Sequence, residues 1–73
     1  MEKSIEELVF IVEETPDGDY MARALGVSII TEADDLEMLR SQVLDAVQCH
    51  FTEEKQRPRI IRLHIVKDEV LAL

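Results

Sequence analysis

Sixteen of the 73 residues are acidic, and two groups of them could do metal chemistry. Glu13, Glu14, Asp17 and Asp19 flank a turn-forming stretch, and Asp34 and Asp35 stand just ahead of a helical pattern. Two-metal phosphodiester cleavage needs carboxylates converging on ions about 3.5–4 Å apart, which would make the chain a minimal Mg²⁺- or Mn²⁺-dependent nuclease. Each group also has a local account as turn, cap or solvated face, so no metal ligand is assigned. His64, beside Arg62, is able to titrate near neutrality as a base or pH sensor, but its strand context predicts a partly exposed sheet histidine. His50 falls in the apolar stripe of a helix and is expected to be packed or at the rim of the core. No Ser-His-Asp or Cys-His arrangement follows from local spacing, although such groups assemble in space. No catalytic residue is assigned.

The remaining reactive side chains are equally plain. Cys49 is the single cysteine, which rules out an intrachain disulfide and a thiolate cage. With no basic residue one helical turn away to lower its pKa, it reads as an ordinary surface thiol. Gly18 and Gly26 are the two glycines and form no phosphate-cradling loop, so no cofactor is expected. Lys55, Arg57, Arg59 and Arg62 make a local basic cluster beside Glu53 and Glu54. It reads as a solvated connection or as the rim of an acidic neighbour's interface, with nucleic-acid contact as the alternative.

The whole-chain balance weighs against that alternative. Eight basic residues against 16 acidic ones give a net charge of −8, and phosphate attraction dominates nucleic-acid affinity. No direct DNA binding is expected. Such a charge suits either a basic protein partner, which it would steer electrostatically, or simple solubility. The amino terminus lacks a basic segment followed by an apolar one. The longest apolar run, Leu8–Val12, is far short of a membrane span. A cytoplasmic protein with no membrane partner is the expectation.

The elements that would position these residues follow from periodicity. A first strand spans about Glu6 to Glu14, and Thr15-Pro16-Asp17-Gly18-Asp19 closes a hairpin through proline at a preset φ and glycine at positive φ. Tyr20–Leu25 is the return strand. Gly26 marks a tight turn or a bulge, and Val27–Ile30 reads as a third strand. Thr31 is placed as a helix N-cap with Glu32, Asp34 and Asp35 in the first turn. Leu36, Leu39, Val43, Ala46, Val47 and His50 then repeat at helical spacing to about Phe51, with Leu44 and Phe51 on a flank. Thr52–Arg59 is a polar connection, and Pro58 near its end disfavours helix at the residue before it. Ile60–Lys67 alternates as a last strand, with Ile61, Leu63 and Ile65 on one face and Arg62 and His64 on the other. Val70–Leu73 is apolar and too short to be an element of its own, so it adds to a sheet edge, docks on a neighbour or frays.

The predicted fold is α+β in the order β-β-β-α-β. It is one domain over residues 1–73: an antiparallel three-strand meander, one crossover helix packed on one face of the sheet, and a final strand parallel to the third. A right-handed crossing is the expected hand. At this size a single core is only marginally stabilising, and oligomerisation is one usual remedy.

The first strand is apolar on both faces, with Leu8, Phe10 and Val12 pointing one way and Val9 and Ile11 the other. A lone helix covers one face. The uncovered set, Val9 and Ile11 or Leu8, Phe10 and Val12, is therefore a candidate oligomer or partner interface, with Val70, Leu71 and Leu73 as further candidates. Each large apolar side chain buried there is worth about 1.5–3 kcal/mol.

A strand, Pro16-Asp17-Gly18-Asp19-Tyr20 turning into a second strand, Gly26 with a short third strand, and Thr31 with Asp34-Asp35-Leu36 opening a helix that reaches Ala46 together resemble the amino-terminal domain of HicB-family antitoxins. The resemblance covers nearly the whole chain. Its helix start, Thr31-Glu32-Ala33-Asp34-Asp35-Leu36, is similar to the family's T-x-x-E-A pattern without matching it. The resemblance implies a partial ribonuclease-H fold lacking the catalytic carboxylates. Family members usually carry a DNA-binding segment after this domain. This sequence stops at Leu73, so operator binding is not carried over. What the resemblance does imply is a homo-oligomer that neutralises a small basic toxin cleaving messenger RNA, or a solitary relative with no toxin.

Overall fold

Five apolar residues in a row suit a strand at the centre of a sheet, where hydrogen-bonded neighbours lie on both edges. A computed structural model describes residues 6–73. In it this strand, β1 (Glu7–Glu14), lies inside a four-stranded sheet with β2 (Tyr20–Ala24), β3 (Ile30–Ala33) and β4 (Ile60–Val66) in the order β3-β2-β1-β4. β1 runs antiparallel to β2 and parallel to β4, and β3 runs antiparallel to β2. The expected α+β, β-β-β-α-β architecture is therefore present, with helix α1 (Leu36–His50) between β3 and β4. Two antiparallel steps and one parallel step give β3 and β4 the same direction. They lie at opposite edges rather than side by side.

The β1–β2 hairpin forms as its residues require. The Thr15 amide donates to the Asp19 carbonyl at 2.7 Å and the Gly18 amide to the Thr15 carbonyl at 3.0 Å. Gly18 sits at φ +92°, in the region where a Cβ is strained. Gly26, at φ +95°, makes a tight turn between β2 and β3.

That turn corrects the third strand. The sequence places it at Val27–Ile30, but Ile29 closes the turn, with its amide on the Val27 carbonyl at 3.1 Å and its carbonyl accepting from the Ala24 amide at 3.0 Å. Pairing with β2 then runs from Ile30 to Ala33. Thr31 is accordingly a strand residue and not the N-cap. Its hydroxyl donates to Gln42 Oε1 at 2.8 Å, tying β3 to the helix. The cap is Asp35, whose carboxylate accepts from the Met38 amide at 2.7 Å. Ladder bonds with β2 hold residues 30–33 extended, so the helix can begin only after them. Asp35→Ala is expected to cost about 1 kcal/mol, lowering the melting temperature by roughly 4–8 °C, which thermal unfolding followed by circular dichroism would register.

The core sits between α1 and one face of the sheet. Leu8, Phe10 and Val12 from β1 meet Leu39, Val43 and Val47 from the helix, with Ala22, Ala24, Ile29 and Ala33 around them. The small side chains on β2 and β3 let the helix settle over that half of the sheet. Ile61 and Leu63 of β4 are only partly buried against the core, and Ile65 is exposed. His50 is exposed, with its ring edge against Phe51 at 4.8 Å, rather than packed in the stripe. After the helix, a short 3-10 turn (Glu54–Gln56) and an Arg57 Nε hydrogen bond to the Phe51 carbonyl at 2.8 Å lead into β4. Residues 67–73 form no regular element.

Candidate interaction surface

The helix resolves which face of β1 is open. Leu8, Phe10 and Val12 are 3%, 0% and 0% exposed, so these three interface candidates belong to the core. Val9 and Ile11 are half-buried on the opposite face, which carries no helix.

The strand register fills in the rest of that face. Beside Val9 lies Arg62, and beside Ile11 lie Arg23 and His64. Arg23 in turn pairs with Ile30, Glu13 with Met21 and Val66, and Glu7 with Ile60. Leu25 extends this pairing, its backbone N–H donating to the Val9 carbonyl at 2.9 Å. The face is thus a mixture of apolar side chains, several well exposed (Leu25, Ile30, Ile60 and Val66), with charges between them. Ile30, Ile60 and Val66 are hidden in the sequence because each shares its face with a polar residue two positions away (Glu32, Arg62 and His64), so that face looks solvated. Arg62 is held in place by Glu7, whose hydrogen bond and charge raise its already high pKa.

Val70 and Leu71 are 92% and 79% exposed, and Leu73 is fully exposed. A second apolar feature lies on the helix side of the sheet. Val43 and Leu44 of α1, with Arg40 at their side, face Ile61, Leu63 and Ile65 of β4 across a groove. The groove exists because α1 lies toward β3, leaving β4 only partly covered.

The carboxylates gather without converging. Glu14 pairs with Tyr20 and Tyr20 with Ala33, so the hairpin, the start of α1 and the end of β4 share one end of the molecule. Glu13, Glu14 and Asp68 line a shallow cleft there, while Asp35 is occupied as the helix cap. Among the described residues, no three His, Cys, Asp or Glu side chains are grouped to hold a metal ion. None of the buried residues among them is polar or charged. The basic segment lies toward the other end. Arg57 bonds the Phe51 carbonyl, Arg59 lies 3.9 Å from Glu6, and Arg62 pairs with Glu7. Cys49 is exposed. Among the described residues, no helix is long and apolar enough to cross a membrane.

No family model matches the chain, and no solved structure matches it significantly. Two curated relatives do. A UPF0150 protein of Archaeoglobus fulgidus is 55% identical over 58 residues, covering 80% of this chain and 85% of the relative. A UPF0150 protein of Thermotoga maritima is 39% identical over 67 residues, covering 92% and 93%. At that identity, over nearly the full length of both relatives, the chain belongs to the UPF0150 family.

Proposed function

We propose that the protein is a non-enzymatic interaction module, similar to a HicB-type antitoxin domain, that forms a homo-oligomer through the open face of its sheet and neutralises a small basic RNA-cleaving toxin. The observation that carries this reading is the open face of β1. Val9 and Ile11 lie at the middle of the sheet with no second layer above them, and Leu25, Ile30 and Ile60 stand exposed around them. A mixed patch of this kind, apolar with interspersed charge, suits a protein interface better than open solvent. The acidic hairpin end supports the toxin part of the reading. Its carboxylates, together with the net charge of −8, would steer a basic protein toward it.

Two measurements test the two parts. Sedimentation of the purified protein at micromolar concentration is expected to show a dimer or larger species, and a monomer would end the oligomer reading. Co-expression with the adjacent reading frame, where that frame encodes a short basic protein, is expected to yield a stable complex whose assembly slows as salt rises. A homo-oligomer that captures no such protein would instead be a solitary relative with no toxin.

A further inference from the structure

We propose that the carboxy-terminal tail of one copy, Val70–Leu73, adds as an antiparallel strand to the free edge of β4 in a second copy and fills the α1–β4 groove there. The proposal rests on the homo-oligomer reading and adds a contact separate from the open sheet face.

Three features converge on it. Among the described residues β4 is an edge strand, with β1 as its one neighbour, and an unpaired strand edge is a template for another chain. The groove has α1 on one side and β4 as its floor, and it lacks a wall where the sheet stops. The tail is a short apolar segment with Val70, Leu71 and Leu73 exposed.

The dimensions agree. Extended at about 3.3 Å per residue, Val70–Leu73 and the stretch of β4 from Leu63 to Val66 have equal length. Alternation puts Leu71 and Leu73 on the same side of an added strand, matching the spacing of Leu63 and Ile65. Setting Leu71 opposite Ile65 and Leu73 opposite Leu63 of the second copy also sets Glu69 opposite that copy's Lys67. Arg40 at the groove adds a further positive charge for the acidic start of the tail. Because the tail continues directly from β4, the pairing is reciprocal about a twofold axis, so two tails fill two grooves and the association closes.

The tail is poorly placed to serve its own groove. Folding back onto β4 would require a tight reversal within Lys67-Asp68-Glu69, which contains no glycine of the kind that two-residue hairpins favour. A second copy offers the same edge without a reversal.

Two experiments on the full chain test this. Leu71→Asp alters a residue outside the core, so its thermal unfolding as an isolated subunit is expected to be unchanged while the dissociation constant of the parent oligomer rises at least about tenfold. In a Cys49→Ser background, Ile65→Cys with Leu71→Cys is expected to give disulfide-linked dimers on mild oxidation, because opposed strand residues lie within bridging distance. An intrachain disulfide would mean that the tail folds back and would overturn the proposal. So would an oligomer that neither cross-links nor responds to Leu71→Asp, although the open-face reading would then stand. A parent protein that is monomeric at micromolar concentration would remove both.

Discussion

Phe10→Ala is expected to destabilise the protein by about 3–5 kcal/mol. Phe10 is fully buried, lies on an interior strand and meets the helix through the core it shares with Leu39 and Val43. Removing a buried phenylalanine to alanine costs about 3–5 kcal/mol, part lost transfer energy and part residual cavity. A chain of this length has a total stability of only about 4–11 kcal/mol at typical per-residue values. The single substitution therefore removes from about a quarter of that stability to all of it. The surroundings limit collapse into the cavity, because Ala22 and Ala24 beside Phe10 are already small. Urea unfolding followed by far-ultraviolet circular dichroism would measure the change. A midpoint within a few tenths molar of the parent would show that Phe10 is not a core anchor.

The hairpin, the helix stripe and the alternation of β4 were legible in the sequence because each depends on local chemistry. Pro16, Asp17 and Gly18 specify their turn whatever lies around them. Leu39, Val43 and Val47 stay at helical spacing in any context. The boundary between β3 and α1 was less legible because Thr31 and Asp35 are both good caps, and nothing local chooses between them. The choice is made by ladder bonds to Met21 and Ala22, about ten residues back.

The candidate surface was half legible for a similar reason. Period-two alternation divides β1 into two apolar faces, but it does not say which one the helix takes. That depends on where α1 comes to rest, and here Ala22, Ala24 and Ala33 draw it over β2 and β3. The same displacement opens the groove beside β4, which no periodicity could have signalled. His50 illustrates the limit in miniature. It follows the stripe by spacing, yet it is the exposed last residue of the helix, and the adjacent Phe51 packs against the core instead.

Ile11→Asp is expected to break the open-face contact between copies while leaving the subunit folded. In the single subunit the new carboxylate would stand on an open, half-buried face between Arg23 and His64, where solvent and a neighbouring cation can both stabilise it. Surface pairing of this kind contributes about 0–1 kcal/mol, which offsets part of the lost apolar contact and leaves the core under the helix intact. In an oligomer packed through this face the same carboxylate must leave water. Burying a charge without a matched partner costs several kcal/mol, and a twofold interface incurs that cost twice. At 1.4 kcal/mol per tenfold, the dissociation constant should rise by about a hundredfold or more. Sedimentation equilibrium and thermal unfolding of the same sample separate the two effects. A smaller assembly with a cooperative melt is the expected result, a monomer if the open face is the whole contact and a tail-linked dimer if the β4 edge is used as well. An Ile11→Asp protein that keeps the parent's oligomeric state would place the self-association surface elsewhere. Phe10→Asp, by contrast, puts its charge beneath the helix and should give an unfolded chain. Because adjacent residues on one strand point to opposite faces, these two variants should fail in different ways if the open face is the contact between copies.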